Sequence, residues 1–191
     1  MVFIMSKMTD YCFFKYRPID KRLLESLIHS SIYFSHRAQL NDPFDCNVDI
    51  VRALDHAIEG GSCKSTELLQ QFRRDEVVHR RFSKNVAALG VGSFSLTNSE
   101  TLLWSHYAND HKGAVMRYGF QMDFLDDEEK ILGVSMVSYK PNAISDWLVE
   151  NAHLYEENHQ EFITGLLKKV LMSKAPAWSY EQEARIVRPE S

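Results

Sequence analysis

Two glutamates and two serines are the first residues in this chain whose types and spacing suit chemistry. Glu181 and Glu183 sit two apart in residues 180–187, Tyr-Glu-Gln-Glu-Ala-Arg-Ile-Val. On a strand, positions two apart point the same way, so both carboxylates can face one ligand. Carboxylates that close repel when both are ionised; this raises one pKa and suits that group to accept a proton. Ser93 and Ser95 share the spacing within residues 89–96, Leu-Gly-Val-Gly-Ser-Phe-Ser-Leu. Trp104, Ser105, His106 and Tyr107 follow, with His111 five beyond His106. Two histidines can act as general acid and base in phosphodiester cleavage. The chain gives weak grounds for a metal: the histidines miss the i, i+4 spacing, and no Cys or His-x-x-Glu partner is near. Walker, Rossmann and nucleophile-elbow fingerprints are absent from the sequence.

Each of these residues also has a plainer reading. Glu183 with Arg185 or Arg17 would make an ion pair between neighbouring strands, and structural pairs are common. Ser93 and Ser95 would be small residues on a crowded sheet. His106 would be a hydrogen-bonding wall residue. Trp104, Trp147 and Trp178 would be core by default. Asn41, Asp42 and Asp45 flank Pro43 and read first as turn formers, with a loop over the ligand as their functional reading.

The elements that must position these groups centre on residues 90–120. Residues 89–96 read as a strand, with glycines where a backbone or ligand comes close. A short helix follows, capped by Ser99, with Leu103, Trp104, Tyr107 and Ala108 on its apolar face. Gly113 ends it in a left-handed conformation, and residues 114–120 return as a strand. Upstream, residues 11–17 form an aromatic strand stopped by Pro18. Asp20 caps a helix with Leu23, Leu24, Leu27 and Ile28 on one face. Residues 32–35 and 46–51 read as short strands, and 55–65 as a loop around Gly60 and Gly61. Residues 66–86 form a long helix whose arginines read as a solvated face. Downstream come an acidic loop (123–130), a strand (131–139), a helical stretch (144–172) broken near 156–159, a loop (174–179) and a last strand (180–187).

The 191 residues suit one domain with a real core, and 45% apolar with 25% charged residues mark a globular chain. A net charge of −4 argues against a general nucleic-acid coat. Cys12, Cys46 and Cys63 are widely spaced and read as reduced thiols of a cytoplasmic protein. No apolar run is long enough to span a membrane, and the start lacks a basic n-region. The expected fold is a single α+β domain, residues 1–191, with a mixed, mostly antiparallel split sheet and flanking helices.

Four stretches in order carry a resemblance: Lys15-Tyr-Arg17; Tyr33-Phe-Ser with Asn41-Asp-Pro-Phe-Asp45; Phe94-Ser95 with Trp104-Ser-His-Tyr-Ala108 and His111-x-Gly113; and Trp178-Ser-Tyr-Glu-x-Glu-x-Arg185. Together they resemble a bacterial family catalogued as a domain of unknown function, DUF2971, over nearly the whole chain. Members often continue past the last motif, where this chain stops. The order of an arginine strand, a serine strand and a late Glu-x-Glu also resembles the pattern of ADP-ribosyltransferases, whose split sheet grips NAD.

That second resemblance implies roles. Arg17 would offer a bidentate guanidinium to the pyrophosphate, with Arg185 as a further candidate. Ser93 and Ser95 would support the nicotinamide ribose and the glutamate. Glu183 would stabilise the oxocarbenium-like centre as nicotinamide leaves, with Glu181 helping toward the acceptor. Trp104 or Tyr107 would stack on the nicotinamide, and His106 would line the site. The expected activity is NAD cleavage with ADP-ribose transfer to a protein or nucleic acid, as in toxins or antiphage factors. NAD is then a substrate and no metal is needed. Two alternatives stay open: a nucleotide-binding sensor without catalysis, and a nuclease built on His106 and His111.

Overall fold

A computed structural model describes residues 12–42, 45–46, 50–120, 131 and 133–189. The expected acidic loop at 123–130, together with Tyr11, Pro43 and Phe44, lies outside these residues.

The organising feature is an antiparallel sheet in the order β4-β1-β3-β6-β5, with β2 joined to β3 off that path. Its strands are β1 (Cys12–Arg17), β2 (Ser35–His36), β3 (Leu89–Ser95), β4 (Ala114–Gly119), β5 (Gly133–Met136) and β6 (Glu183–Pro189). Every ladder among the described residues is antiparallel, so the expectation of a mixed sheet is corrected; the parallel contact is an isolated bridge, Ser138 with Ser173. β3 pairs with β6 along its whole length. Its other edge is shared: Phe14 of β1 opposes Ser95, while Ser35 and His36 of β2 oppose Val91 and Gly90. β1 and β2 therefore leave a gap beside Ser93, and the sheet is split there.

Alternation assigns the two faces. Phe94, Ala184 and Ile186 face one way and pack with Phe13, Phe120 and Ile131. Gly90 and Gly92 lie under Phe34; a Cβ at Gly90 would meet Phe34 Cβ at 2.9 Å and one at Gly92 the Phe34 ring at 3.0 Å. The close neighbour expected of these glycines is thus an aromatic ring. On the other face, Leu89, Val91 and Val187 join a helical core with Leu54, Leu69, Phe72, Leu148, Phe162 and Leu166. The same face then turns polar toward Ser93, Ser95, Arg185 and Glu183.

The helices covering the apolar end are α2 (Ile50–Gly60), α3 (Cys63–Arg74), α4 (Glu76–Ala87), α6 (Ala143–Asn151), α7 (Leu154–Glu157) and α8 (His159–Leu171); α1 (Lys21–Ile28) follows β1, and α5 (Thr101–Tyr107) packs on β1 and borders the cleft. Several boundaries differ from the sequence reading, each for a local reason. Residues 50–60 form a helix where a strand end and a loop are expected. Leu54 and Ala57 recur at helical spacing into the core, and the two glycines only end the helix. The long helix at 66–86 divides at Asp75, which ends α3 and caps α4 by accepting from the Val78 amide at 3.0 Å. The break at 156–159 falls where expected, with Asn158 capping α8. On α1 only Leu23 of the four apolar residues is buried. The last strand begins at Glu183; residues Pro176–Glu181 form a 3-10 turn, and Gln182 takes φ 43° between them.

Candidate functional site: a charged cleft at the split of the sheet

The gap between β1 and β2 opens into a cleft of about 370 Å3, a volume within the range of small-molecule sites. Lys15, Arg17 and Tyr16 of β1, Ser93 and Ser95 of β3, Tyr107 of α5, and Lys174, Glu181 and Glu183 line it. Six residues separated widely in sequence and expected at one site, Arg17, Ser93, Ser95, Tyr107, Glu181 and Glu183, thus share one cavity.

Its floor is a buried ionic cluster. Arg185 is 0% exposed. Its Nε donates to Glu183 Oε1 at 2.7 Å and its Nη2 to Glu183 Oε2 at 3.0 Å and Asp45 Oδ2 at 2.5 Å. Its Nη1 donates to the Leu171 carbonyl at 2.6 Å and to Cys46 Sγ at 3.2 Å. Lys174 Nζ bridges Glu181 Oε2 at 2.5 Å, Glu183 Oε2 at 3.4 Å and Asp45 Oδ2 at 3.4 Å. Tyr107 donates its hydroxyl to Glu181 Oε1 at 2.7 Å. The Glu183 amide donates to the Tyr139 hydroxyl at 2.8 Å, leaving that hydroxyl's own proton free to donate. Among the described residues, every buried side-chain nitrogen and oxygen has a hydrogen-bond partner. Such saturation is what lets three carboxylates and two cations stay buried together.

The cluster drives its two glutamates apart. Burial pushes the Glu183 carboxyl upward, but the Arg185 guanidinium and Lys174 outweigh it and hold Glu183 below the usual range. Burial raises Glu181, and Lys174 and Tyr107 only partly oppose it. Burial alone would lower Lys174; the surrounding carboxylates hold it well above the usual lysine value. Burial and the neighbouring carboxylates raise the Tyr107 hydroxyl and bring that of Tyr139 to about 12, so both remain protonated at neutral pH. The site therefore holds one firmly ionised carboxylate, Glu183, beside a more basic one, Glu181.

Several expected roles change. Arg185 cannot take a pyrophosphate: all five of its N–H donors face protein acceptors inside the core, and it instead orients Glu183 from behind. The carboxylates of Glu181 and Glu183 do converge, but not by sharing a strand. Glu181 ends the 3-10 turn, and the left-handed Gln182 swings it back toward Lys174. The Ser95 hydroxyl is spent on backbone, donating to the Glu181 carbonyl at 2.6 Å and accepting from the Thr97 amide at 3.1 Å; it fixes the glutamate rather than facing a ribose. Trp104 stands edge-on to Tyr16, gives its indole N–H to the Asn98 carbonyl and does not border the cleft. His106 is exposed, lies against the rings of Trp178 and Tyr180 and also stays outside the cleft, as does His111. The left-handed turn after α5 is taken by Asn109, Asp110 and His111 rather than Gly113. Gly113 serves close approach instead: a Cβ there would meet the Arg17 carbonyl at 2.3 Å.

Lys174, Tyr139 and Lys15 are the site residues that sequence reasoning did not select. Lys174 and Tyr139 stand alone in stretches read as a loop and a strand end, with no spacing to mark them. Lys15 lies in the Lys-Tyr-Arg run, two before Arg17, and that spacing was a usable signal.

With this geometry in place, comparison with known proteins adds one match. Residues 103–186 match the family described as a protein of unknown function, DUF2971. That stretch is similar to DUF2971 and covers a little under half of the chain. No curated protein and no solved structure matches the chain. The matched segment supplies Tyr107, Tyr139, Lys174, Glu181, Glu183 and Arg185, which is most of the ionic floor. Asp45, the cationic residues of β1 and the serines of β3 lie outside the matched segment. Among the described residues, no helix is long and apolar enough to cross a membrane, and no cluster of three His, Cys, Asp or Glu residues is arranged to hold a metal ion.

Proposed function

We propose that the cleft binds NAD and that the protein cleaves it at the nicotinamide bond, passing ADP-ribose to a macromolecular acceptor. The observation that carries this reading is the polarity of the cleft. Arg17 stands on one wall with no hydrogen bond or ion pair to its guanidinium among the described residues, while Glu181 and Glu183 form the floor. NAD has matching polarity, with an anionic pyrophosphate and a cationic nicotinamide ring. Cleavage of its glycosidic bond moves that positive charge onto the ribose. A fixed, ionised carboxylate stabilises this developing cation without reorganising, because Arg185 already holds it in place. Glu181, the more basic carboxylate, takes the proton of the attacking acceptor. Tyr107, whose hydroxyl is tied to Glu181, lines the cleft and offers a ring to the nicotinamide. The cleft takes one nucleotide half, and the other half extends past Arg17.

Arg17→Ala is the clean test, because Arg17 makes no bond that the fold needs. NAD binding to the purified chain, measured by calorimetry, should weaken by at least ~10-fold, in line with the loss of a charged hydrogen-bond donor. Glu183→Gln should cost about 2–4 kcal/mol in transition-state stabilisation for release of labelled nicotinamide. Wild-type protein that neither binds nor cleaves NAD, alone or with cell extract, would refute the reading. Binding without cleavage, unchanged in Glu183→Gln, would select the sensor instead. The nuclease reading gains nothing from a cleft that neither His106 nor His111 borders.

A further inference from the structure

NAD chemistry leaves Lys15 of the cleft unused. Lys15 extends into the split of the sheet, where its Nζ donates to the Ser93 carbonyl at 3.0 Å and sits 4.9 Å from the centre of the Phe94 ring. The buried carboxylates nearby are taken: Glu181 by Lys174 and Tyr107, and Glu183 and Asp45 by Arg185 and Lys174. Arg17, two residues along the same strand, adds a second positive charge. A desolvated lysine next to another cation is how proteins obtain a nucleophilic amine at neutral pH. Burial first and the Arg17 charge second bring Lys15 down to about 8, with Glu183 partly opposing them. The other charged groups lining this cavity are Glu181, Lys174 and Asp45. A neutral Lys15 can keep its hydrogen bond to Ser93 and turn its lone pair to the cleft.

We propose that Lys15 is a nucleophilic amine that forms a reversible imine with an anionic aldehyde or ketone held in the cleft by Arg17. The amine nitrogen bonds to the carbonyl carbon, the C=O π pair moves to oxygen, and a proton passes from nitrogen to that oxygen to give a carbinolamine. The hydroxyl then leaves as water while nitrogen loses its second proton and forms the C=N bond. Glu181 stands in the same cavity to carry those protons. No oxidant or reductant is consumed. This site is independent of whether NAD is a ligand.

The experiment treats the full chain with pyridoxal phosphate, an anionic aldehyde, over about pH 6.5 to about pH 9.5. Sodium borohydride then reduces any imine to a stable amine, and peptide mass mapping locates it. The control lysines are internal: Lys174, held protonated, and Lys21, whose side chain is 88% exposed. Near neutral pH, Lys15 has a neutral fraction on the order of a hundredfold larger than an ordinary lysine. Lys15 should therefore dominate the map, with labelling that rises through a midpoint near pH 8, and Lys15→Arg should remove that label. Label spread over exposed lysines with little at Lys15, or a Lys15 midpoint near that of ordinary lysines, would overturn the proposal. The wild-type map decides the matter even where Lys15→Arg fails to fold.

Discussion

The two ends of one face of β3 and β6 are built on opposite principles. At one end Leu89, Val91 and Val187 sink into a dry core of helices with Phe72, Phe162 and Leu148. At the other, a few residues along the same strands, Ser93, Ser95, Arg185 and Glu183 meet a cavity and a buried ionic cluster. The apolar end stabilises by removing hydrocarbon from water. The charged end repays little of its desolvation, since well-packed apolar residues in place of a buried ion pair are often neutral or stabilising. A molecule able to make the first kind of core has no folding need for the second. The cluster therefore sets the cleft end of the sheet apart from its apolar end, and its cost falls on stability.

The sharpest way to break this contrast is Arg185→Leu. It leaves Glu183 and Asp45 buried without their main partner and should cost about 3–5 kcal/mol in urea unfolding, with loss of ligand binding. Leu148→Ala, at the apolar end, should cost a comparable ~2–5 kcal/mol yet leave ligand affinity per folded molecule unchanged. Equal damage with opposite functional outcomes would sharpen the comparison; loss of binding in both would dissolve it. A smaller effect is expected in acid. Glu183 is held below its ordinary 4.5, so its stabilisation is present above that pH and is lost as pH falls through the lower folded value. The stability gap between wild type and Glu183→Gln should close over that window, and a gap independent of pH would contradict the assignment. Smallest of all, His106→Ala should change stability by no more than about 0.5 kcal/mol and leave turnover intact, because the ring lies exposed outside the cleft.

What the sequence disclosed follows the same division. The strands at Leu89–Ser95 and Ala114–Gly119 and the Asp20 cap were legible because alternation and capping are local rules. The gathering of Arg17, Ser93, Tyr107, Glu181 and Glu183 was legible as a pattern of charged and hydroxyl residues at strand ends. The role of Arg185 was not. Whether an arginine faces a ligand or a carboxylate depends on Asp45 and Leu171 arriving from 140 and 14 positions away. The same holds for Gln182: nothing in Glu-Gln-Glu announces a left-handed residue, so strand periodicity was extended two residues too far. Residues 50–60 were misread although Leu54 and Ala57 carried a helical period, because the two glycines drew the loop reading upstream.

The order in which the cluster is joined has a consequence for synthesis on the ribosome. Asp45 emerges before Lys174, and Glu183 and Arg185 emerge after both, while β6 must still pair with β3 on one side and β5 on the other. Until β6 is docked, Asp45 lacks Arg185 and Ser95 opposes no glutamate. A nascent chain can gather its helices first and remain without a finished cleft. The cleft is thereby withheld from the nascent chain and is complete only once β6 closes the sheet.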